Sequence, residues 1–422
     1  MNFDTLALDK VLLDAVKSQG YECPTPIQQQ AIPVILANKD IMAGAQTGTG
    51  KTAAFALPIL QKLLVQIPTE HSLRALVLTP TRELAQQVFK NIVCYAENTK
   101  LNIAVAYGGV SIKPQVAVLN KGVDVLVATP GRLLDHLVNG SVSLSQLQCL
   151  VFDEADRMLD MGFKDEITRI LHRAPLKRQT LLFSATFDDN IFKLSKTLLT
   201  DPQLIEVSER NSAVNSVEQI VYTVDNDRKR ELTSYLIGSK NWQQVLIFTR
   251  TKQLADALAK EMCKDGIKTL SIHGDKSQGA REKALAEFKQ GKVRALVATD
   301  VAARGLDISG LNYVINFELP YVAQDYIHRI GRTGRAGEQG VAVSLISPSE
   351  EWLLTAVEEV LDKRLMQQWL PGYEPDLSKT EAVMRNLSKG KQKQRARKQA
   401  LGQGSNKDKR LIARNKMKGS NR

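Results

Sequence analysis

Cysteine is scarce and poorly spaced for chemistry. The chain holds four, Cys23, Cys94, Cys149 and Cys263, far apart and with no CxxC pair. They read as small reduced side chains, which excludes a disulfide scaffold and a thiolate zinc site. Long apolar runs are missing too. None approaches the roughly 18 residues of a membrane span, so no segment is expected to enter a bilayer. The start, Met1-Asn2-Phe3-Asp4-Thr5, lacks the basic-then-apolar order of a secretory signal. Together these absences predict a soluble, cytoplasmic chain. No short repeat of the solenoid sort is visible.

Charge is present but unevenly placed. The formal net charge is +12, and residues 376–422 carry 15 Lys and Arg against 3 Asp and Glu, which is the whole excess. Residues 1–375 are formally neutral, with 42 basic and 42 acidic side chains. An electrostatic attraction to polyanions therefore belongs to the tail and not to the body. The stretch Lys389-Gly390-Lys391-Gln392-Lys393-Gln394-Arg395-Ala396-Arg397-Lys398 has few apolar residues and no aromatic. It is expected to be disordered, because burial cannot offset its ordering entropy.

The body alternates short apolar runs with helical patterns, as an α/β fold with open parallel sheets requires. Strands are predicted at Asp40–Gly44, Ala75–Thr79, Val123–Ala128, Cys149–Phe152 and Thr180–Ser184 in the first half. The second half offers Gln244–Thr249, Val293–Ala298, Asn312–Asn316 and Val341–Ile346. Helices are predicted over Arg82–Cys94, Lys252–Lys264 and Gly279–Lys289. Near-continuous apolarity in the strands implies burial on both faces. A polar, weakly periodic stretch from about Gln203 to Val217 reads as a linker. The expected domains are residues 1–205 and 218–375, joined by 206–217 and followed by the tail, 376–422.

The segment Ala45-Gln46-Thr47-Gly48-Thr49-Gly50-Lys51-Thr52 follows an apolar strand and opens an Ala- and Leu-rich helix. In that setting backbone N–H groups at a helix N-terminus can cradle phosphates. Lys51 can reach the β- and γ-phosphates and Thr52 can offer its hydroxyl to Mg²⁺. The usual pattern has Gly where this chain has Ala45. A second half of such a site appears at Leu150-Val151-Phe152-Asp153-Glu154. A strand ending in two acids puts Asp153 at the sheet edge to hold Mg²⁺ through water, with Glu154 placed to orient or deprotonate an attacking water. Alone, such a pair is a solvated turn or a helix N-cap; beside the Lys51 loop the catalytic reading prevails.

Around these lies an ordered series: Gly20-Tyr21-Glu22-Cys23-Pro24-Thr25-Pro26-Ile27-Gln28, Pro80-Thr81-Arg82-Glu83-Leu84-Ala85, Gly108-Gly109, and Thr129-Pro130-Gly131-Arg132. Asp153-Glu154-Ala155-Asp156 and Ser184-Ala185-Thr186 follow, then Leu246-Ile247-Phe248-Thr249, and Gln278 with Arg281. Thr299-Asp300-Val301-Ala302-Ala303-Arg304-Gly305-Leu306-Asp307 and His328-Arg329-Ile330-Gly331-Arg332-Thr333-Gly334-Arg335 close it. Over residues 3–350 the chain resembles the DEAD-box ATP-dependent RNA helicases, and its N-terminal lobe resembles their bacterial RhlE-like branch. Ala45 is ordinary in that family.

The resemblance implies two tandem RecA-like parallel-sheet domains, ATP with Mg²⁺, and RNA as partner. Gln28 would read adenine, for which an amide has the matching donor and acceptor, while Tyr21 packs on the ring and Phe3 is the upstream aromatic. From the residues alone Gln28 simply starts a helix after Pro26. Ala45 through Thr52 would hold the phosphates and Asp307 the ribose. Arg332 and Arg335 would act as arginine fingers, and His328 would join a network between lobes. Ser184 and Thr186 would couple the acids to strand separation; blandly they are a strand-end turn with capping hydroxyls. Arg82, Gly109, Thr129, Arg132, Arg281, Thr299 and Asp300 would grip the RNA backbone, contacts that carry little sequence information. For any one of these arginines a surface salt bridge is the plain alternative.

The implied activity is RNA-stimulated ATP hydrolysis coupled to local unwinding of short duplexes or remodelling of RNA–protein complexes. Ribosomal precursors and RNA-decay machinery are the partners expected of such proteins. Three rivals stay open: a DNA helicase of the same superfamily, a nucleotide-gated clamp that rarely turns over, and an annealing chaperone run by the tail.

Overall fold

The structure is a computed structural model of the full chain, and it describes residues 2–44, 49–65, 72–185, 187, 189–207, 217–303, 308, 311–334 and 340–376. The chain divides into two compact units between Arg210 and Asn211. Each unit, here called a lobe, is built on one seven-stranded parallel sheet.

Lobe one contains β1 (Ile41–Gly44), β2 (Ala75–Leu78), β3 (Ile103–Ala106), β4 (Val125–Ala128), β5 (Cys149–Phe152), β6 (Gln179–Ser184) and β7 (Gln203–Glu206). They lie in the order β3-β4-β2-β5-β6-β1-β7. Side chains of a strand point alternately to opposite faces, and the sequence uses both. Ala43, Val77, Val127, Val151 and Phe183 enter one apolar core, while Met42, Leu76, Leu126, Leu150 and Leu182 enter another on the opposite face. Double-sided burial of this kind is what near-continuous apolar strands require.

Lobe two contains β8 (Val217–Thr223), β9 (Val245–Thr249), β10 (Thr269–Ile272), β11 (Ala295–Thr299), β12 (Tyr313–Asn316), β13 (Gly340–Ile346) and β14 (Gln367–Gln368). Their order is β10-β11-β9-β12-β13-β8-β14. Adding seven to each strand number of lobe one reproduces lobe two, so the two lobes are the same topology used twice. Local chemistry repeats as well. After β2 the helix Arg82–Tyr95 is capped by Thr81, whose hydroxyl accepts from Leu84 N at 3.3 Å. After β9 the helix Lys252–Lys264 is capped by Thr251, accepting from Leu254 N at 3.2 Å. Each cap satisfies one of the otherwise unpaired amides of a helix start.

The nine predicted strands are all present, Cys149–Phe152 with the bounds expected and the others with an end shifted by one or two residues. Five others escaped the sequence reading: β3, β7, β8, β10 and β14. The start of the expected linker is one of them. Gln203–Glu206 pairs in parallel with β1 at the edge of the first sheet, with Ile205 alone buried. Residues 208–216 of that linker and the tail from 377 lie outside the described residues. Among the described residues no helix is long and apolar enough to cross a membrane.

Candidate nucleotide and nucleic-acid sites

In an open α/β sheet ligands gather beyond the carboxyl ends of the strands. In lobe one every predicted site residue that follows a strand lies there, and the strand order sorts them. Gly109, Thr129 and Arg82 follow β3, β4 and β2, one half of the sheet. Asp153 and Lys51 follow β5 and β1, and Ser184 ends β6, the other half. Backbone-gripping and phosphate-handling candidates therefore occupy adjacent halves of one sheet end.

Lys51 is the first residue of the helix Lys51–Val65 and is buried, and its Nζ has no hydrogen-bond partner. Asp153 is 3% exposed, and its Oδ1 is likewise unpartnered. Burial pushes the Asp153 carboxyl up to about 6; Lys51 pulls it back down, and Glu154 and Asp156 push it further up. Buried charges without hydrogen-bond partners are costly. A cation and a carboxylate kept in that condition, each electrostatically coupled to the other, fit a phosphate bearing a divalent ion. Thr52 is the second residue of the same helix. Among the described residues no group of three or more His, Cys, Asp and Glu is arranged to hold a metal by itself.

Glu154 has φ +57° and ψ +55°, the left-handed region, which a non-glycine residue enters only at a cost. That turn ends the strand direction and starts the helix Ala155–Asp160. Its Oε2 lies 3.3 Å from Arg157 Nε, and both side chains are buried. Arg157 was not foreseen as a site residue, although its position three after Glu154 was the available signal. Both of its terminal nitrogens lack a hydrogen-bond partner. Asp156 was quoted in the motif but given no role. Its Oδ1 accepts from Arg157 N at 3.0 Å and its Oδ2 from Ala185 N at 3.1 Å. The acidic turn after β5 is thus tied directly to Ser184-Ala185 at the end of β6, where Ser184 is fully buried.

Gln28 is buried and uses both ends of its amide. Oε1 accepts from Thr25 N at 2.9 Å, and Nε2 donates to Gly50 O at 3.1 Å. It bridges a helix start and the phosphate loop, leaving one amide hydrogen and one lone pair for a base edge. Gly50 has φ +90°, and a Cβ there would lie 2.4 Å from Gln28 Nε2, so the close approach depends on glycine. Tyr21 is 38% exposed, with its hydroxyl 3.2 Å from that of Tyr95 and its ring tilted against the Tyr95 ring. Phe3 departs from expectation. It is 3% exposed and enclosed by the lobe-one core, because a large apolar ring beside Leu6 and Leu8 gains more from burial than from standing at the surface.

On the other half of the sheet end, Gly109 has φ +77°, and its missing side chain leaves the space that the Arg82 guanidinium fills. Arg132 donates from Nη2 to Val110 O at 2.9 Å, and its Nε lies 3.4 Å from Asp135. Thr129 is buried, with its amide donating to Ala106 O at 3.0 Å. The two loops and the helix Pro130–Val138 are therefore held as one surface.

In lobe two, Thr299 ends β11 and Asp300 opens the turn Asp300–Ala303. Asp300 needs correction as a free contact. Arg329 grips both of its oxygens, Nε to Oδ1 at 2.6 Å and Nη2 to Oδ2 at 2.7 Å. Arg329 also donates to Glu318 O at 2.6 Å and lies over the Phe248 ring. Nothing in the one-dimensional pattern separated Arg329 from its neighbour His328, whose Nδ1 lies 3.8 Å from Asp325. Arg332 is 7% exposed, which sets it apart from a solvated loop arginine. Arg281 is buried on the helix Gln278–Lys289. Ala45, Gln46, Thr47, Gly48, Thr186, Asp307 and Arg335 lie outside the described residues.

Duplicated parallel sheets with a lysine-led phosphate loop and a strand-end acid pair define a nucleotide-driven motor built on two RecA-like lobes. Comparison with known proteins narrows the class. Residues 25–194 match the DEAD/DEAH box helicase family and residues 228–337 the helicase conserved C-terminal domain. The DEAD-box ATP-dependent RNA helicase CshA of Bacillus subtilis is 40% identical over 86% of this chain and 73% of its own length. The ATP-dependent RNA helicase RhlB of Pseudomonas syringae is 41% identical over 86% of this chain and 93% of its own. A structure of S. cerevisiae Dbp5 bound to RNA and ADP BeF3 matches with a TM-score of 0.79 at 30% identity, covering 91% of this chain and 98% of that one. The chain belongs to the DEAD-box family of ATP-dependent RNA helicases, enzymes that hydrolyse ATP.

Proposed function

We propose that this protein binds single-stranded RNA through residues of both lobes and unwinds short duplexes locally, with ATP hydrolysis stimulated by RNA. The observation that carries the reading is the pair of buried charges, Lys51, whose Nζ has no hydrogen-bond partner, and Asp153, whose Oδ1 has none, beside Glu154 in its left-handed turn. Lys51 binds the terminal phosphates, and Thr52 and Asp153 hold Mg²⁺, which supplies charge to neutralise them. Glu154 orients and deprotonates the attacking water, and Arg157 fixes its carboxylate. Gln28 and Tyr21 select adenine. Arg332 and Arg335, as arginine fingers, come from lobe two and Asp307 contacts the ribose, so turnover requires both lobes; the linker between them lies within residues 207–216, after β7 and before β8.

Arg82, Gly109, Thr129 and Arg132 in lobe one, with Arg281 and Thr299 in lobe two, grip the RNA backbone. Asp300 supports that grip by holding Arg329 in place. The bond from Ala185 N to Asp156 supports a route from the nucleotide to Ser184 and Thr186. The protein works in the cytoplasm, on ribosomal precursors or with the RNA-decay machinery.

The decisive assay is ATP turnover by Glu154→Gln with and without single-stranded RNA. We expect RNA-stimulated turnover to fall by at least about a hundredfold, the usual worth of a general base, while ATP binding persists. Turnover near the wild-type rate would remove Glu154 from the chemistry. Matched single-stranded DNA in the same assay distinguishes an RNA enzyme from a DNA helicase.

A further inference from the structure

The shared topology of the two lobes gives the strands of the nucleotide site, and the helix that follows the first of them, counterparts in lobe two. The strand β8 corresponds to β1, β12 to β5 and β13 to β6. The helix after β1 opens with the buried Lys51, and the helix after β8, Lys229–Ser239, opens with Lys229, also buried at 1% exposure. Lys51 lacks a hydrogen-bond partner; Lys229 has one. Its Nζ donates to Glu350 Oε2, in a residue that follows β13.

Part of that carboxylate's surroundings is a capping box with Ser347, and the rest is cationic. Oε2 accepts from Lys229 Nζ, from Ser347 N at 3.1 Å and from Ser347 Oγ at 3.1 Å. Oε1 accepts from Arg250 Nη2 at 2.5 Å. A lysine ammonium, a guanidinium, a hydroxyl and a backbone amide converging on one buried oxyanion make up the donor set of a phosphate site. Arg250 follows β9 and is held by Glu318, after β12, through its backbone N at 2.8 Å and its Nη2 at 2.8 Å. Its guanidinium also lies 4.7 Å from the centre of the Tyr321 ring. Burial lowers the affinity of Lys229 for its proton, and Glu350 opposes that effect. Burial likewise disfavours the Glu350 carboxylate, but Lys229 and Arg250 outweigh it and hold the carboxyl below its ordinary range.

We infer that lobe two retains an anion site of the phosphate-binding kind around Lys229, the counterpart of Lys51, and that the Glu350 carboxylate fills it as an internal stand-in for phosphate. The site's own ligand class is a small tetrahedral oxyanion. Self-occupation confines nucleotide to lobe one and turns the second site into a fastening that joins β8, β9, β12 and β13.

Replacing Glu350 should therefore create a phosphate site where none is free. The experiment measures the thermal midpoint of full-length wild type, Glu350→Ala, and the double variant Glu350→Ala with Lys229→Met. Inorganic phosphate is titrated against chloride at matched ionic strength. Because phosphate can also meet the lobe-one loop, the readout is the response in excess of wild type. Glu350→Ala should show a saturable excess on the order of 5 °C, and the double variant should lose it. An equal response in wild type and Glu350→Ala overturns the inference, as does an excess that survives loss of Lys229. If Glu350→Ala does not fold in chloride, recovery of folded chain in phosphate supports the inference, and failure in both salts overturns it.

Discussion

Asp153 carries a cost that binding is arranged to relieve. Burial raises its carboxyl from the ordinary 3.8 to about 6, so between those values the folded state holds a proton that the unfolded chain has released. The contribution of this group to stability is therefore full below about 3.8 and is lost as pH rises through about 6. The loss amounts to about 3 kcal/mol at neutral pH. Asp153→Asn keeps the shape without the charge. Its nucleotide-free thermal midpoint should exceed wild type at pH 7.5 by several degrees, with the gap narrowing at pH 5, while ATP hydrolysis is lost. A gap that does not change with pH would show that burial of this charge is not the cause. Gly109 makes the opposite kind of demand. Ala at φ +77° is strained by about 1–2 kcal/mol, and its Cβ must displace the Arg82 guanidinium. Gly109→Ala should weaken single-stranded RNA binding about tenfold in a titration and leave ATP affinity within about twofold. Weakened ATP binding of the same size would mean that the loop does not act on RNA alone.

Among elements, legibility followed burial, except at β8, which lies between β13 and β14 and buries Val217, Val221, Tyr222 and Thr223 but has its apolar run interrupted by Glu218 and Gln219. The central strands β5 and β9 and the helix Lys252–Lys264 could be read because both faces, or one regular stripe, must be apolar. Edge elements gave weak signals. Strand β7 buries only Ile205 of its four residues and β14 is the pair Gln367-Gln368, so hydrogen bonding to a neighbour, not composition, makes them strands. The site shows the same division. Lys51, Asp153 and Glu154 have spacings fixed by strand, turn and helix start and were legible. The engagement of Asp300 by Arg329 and the enclosure of Phe3 depend on which side chains meet in three dimensions, which spacing does not encode. A buried pair at the opposite end of the strands was missed for that reason too. Arg74 precedes β2 and Asp124 precedes β4; Nη2 and Oδ1 are 2.6 Å apart and both side chains are buried. Arg74→Met leaves Asp124 buried without its cation and should destabilise lobe one by about 3–5 kcal/mol. Because the pair lies away from the carboxyl ends, kcat for RNA-stimulated hydrolysis should hold at temperatures where the variant is folded. Adding Asp124→Leu should return part of the lost midpoint.

At the scale of the whole molecule, function divides between a neutral body and a basic tail. On the proposed reading the duplicated lobes carry the nucleotide chemistry and a backbone grip of limited charge, whereas residues 376–422 carry all of the net positive charge. Such a tail attracts RNA by releasing counterions, a term that depends on salt and not on sequence. The described chain ends beside lobe two, where Asp376 N donates to Asp225 Oδ2 at 3.1 Å, so removal from residue 376 onward takes little from the fold. If the tail places about five of its cations on single-stranded phosphates, it adds about 3.5 to the slope of log K against log salt. The truncated protein should bind single-stranded RNA more weakly at low salt, with a slope flatter by about that amount and with ATP affinity unchanged. As salt rises, the two proteins should converge, because what would remain is the proposed grip of Arg82, Arg132 and Arg281 on a few phosphates. A slope unaltered by truncation would assign RNA attraction to the lobes and leave the tail as a solubilising or ribosome-docking extension.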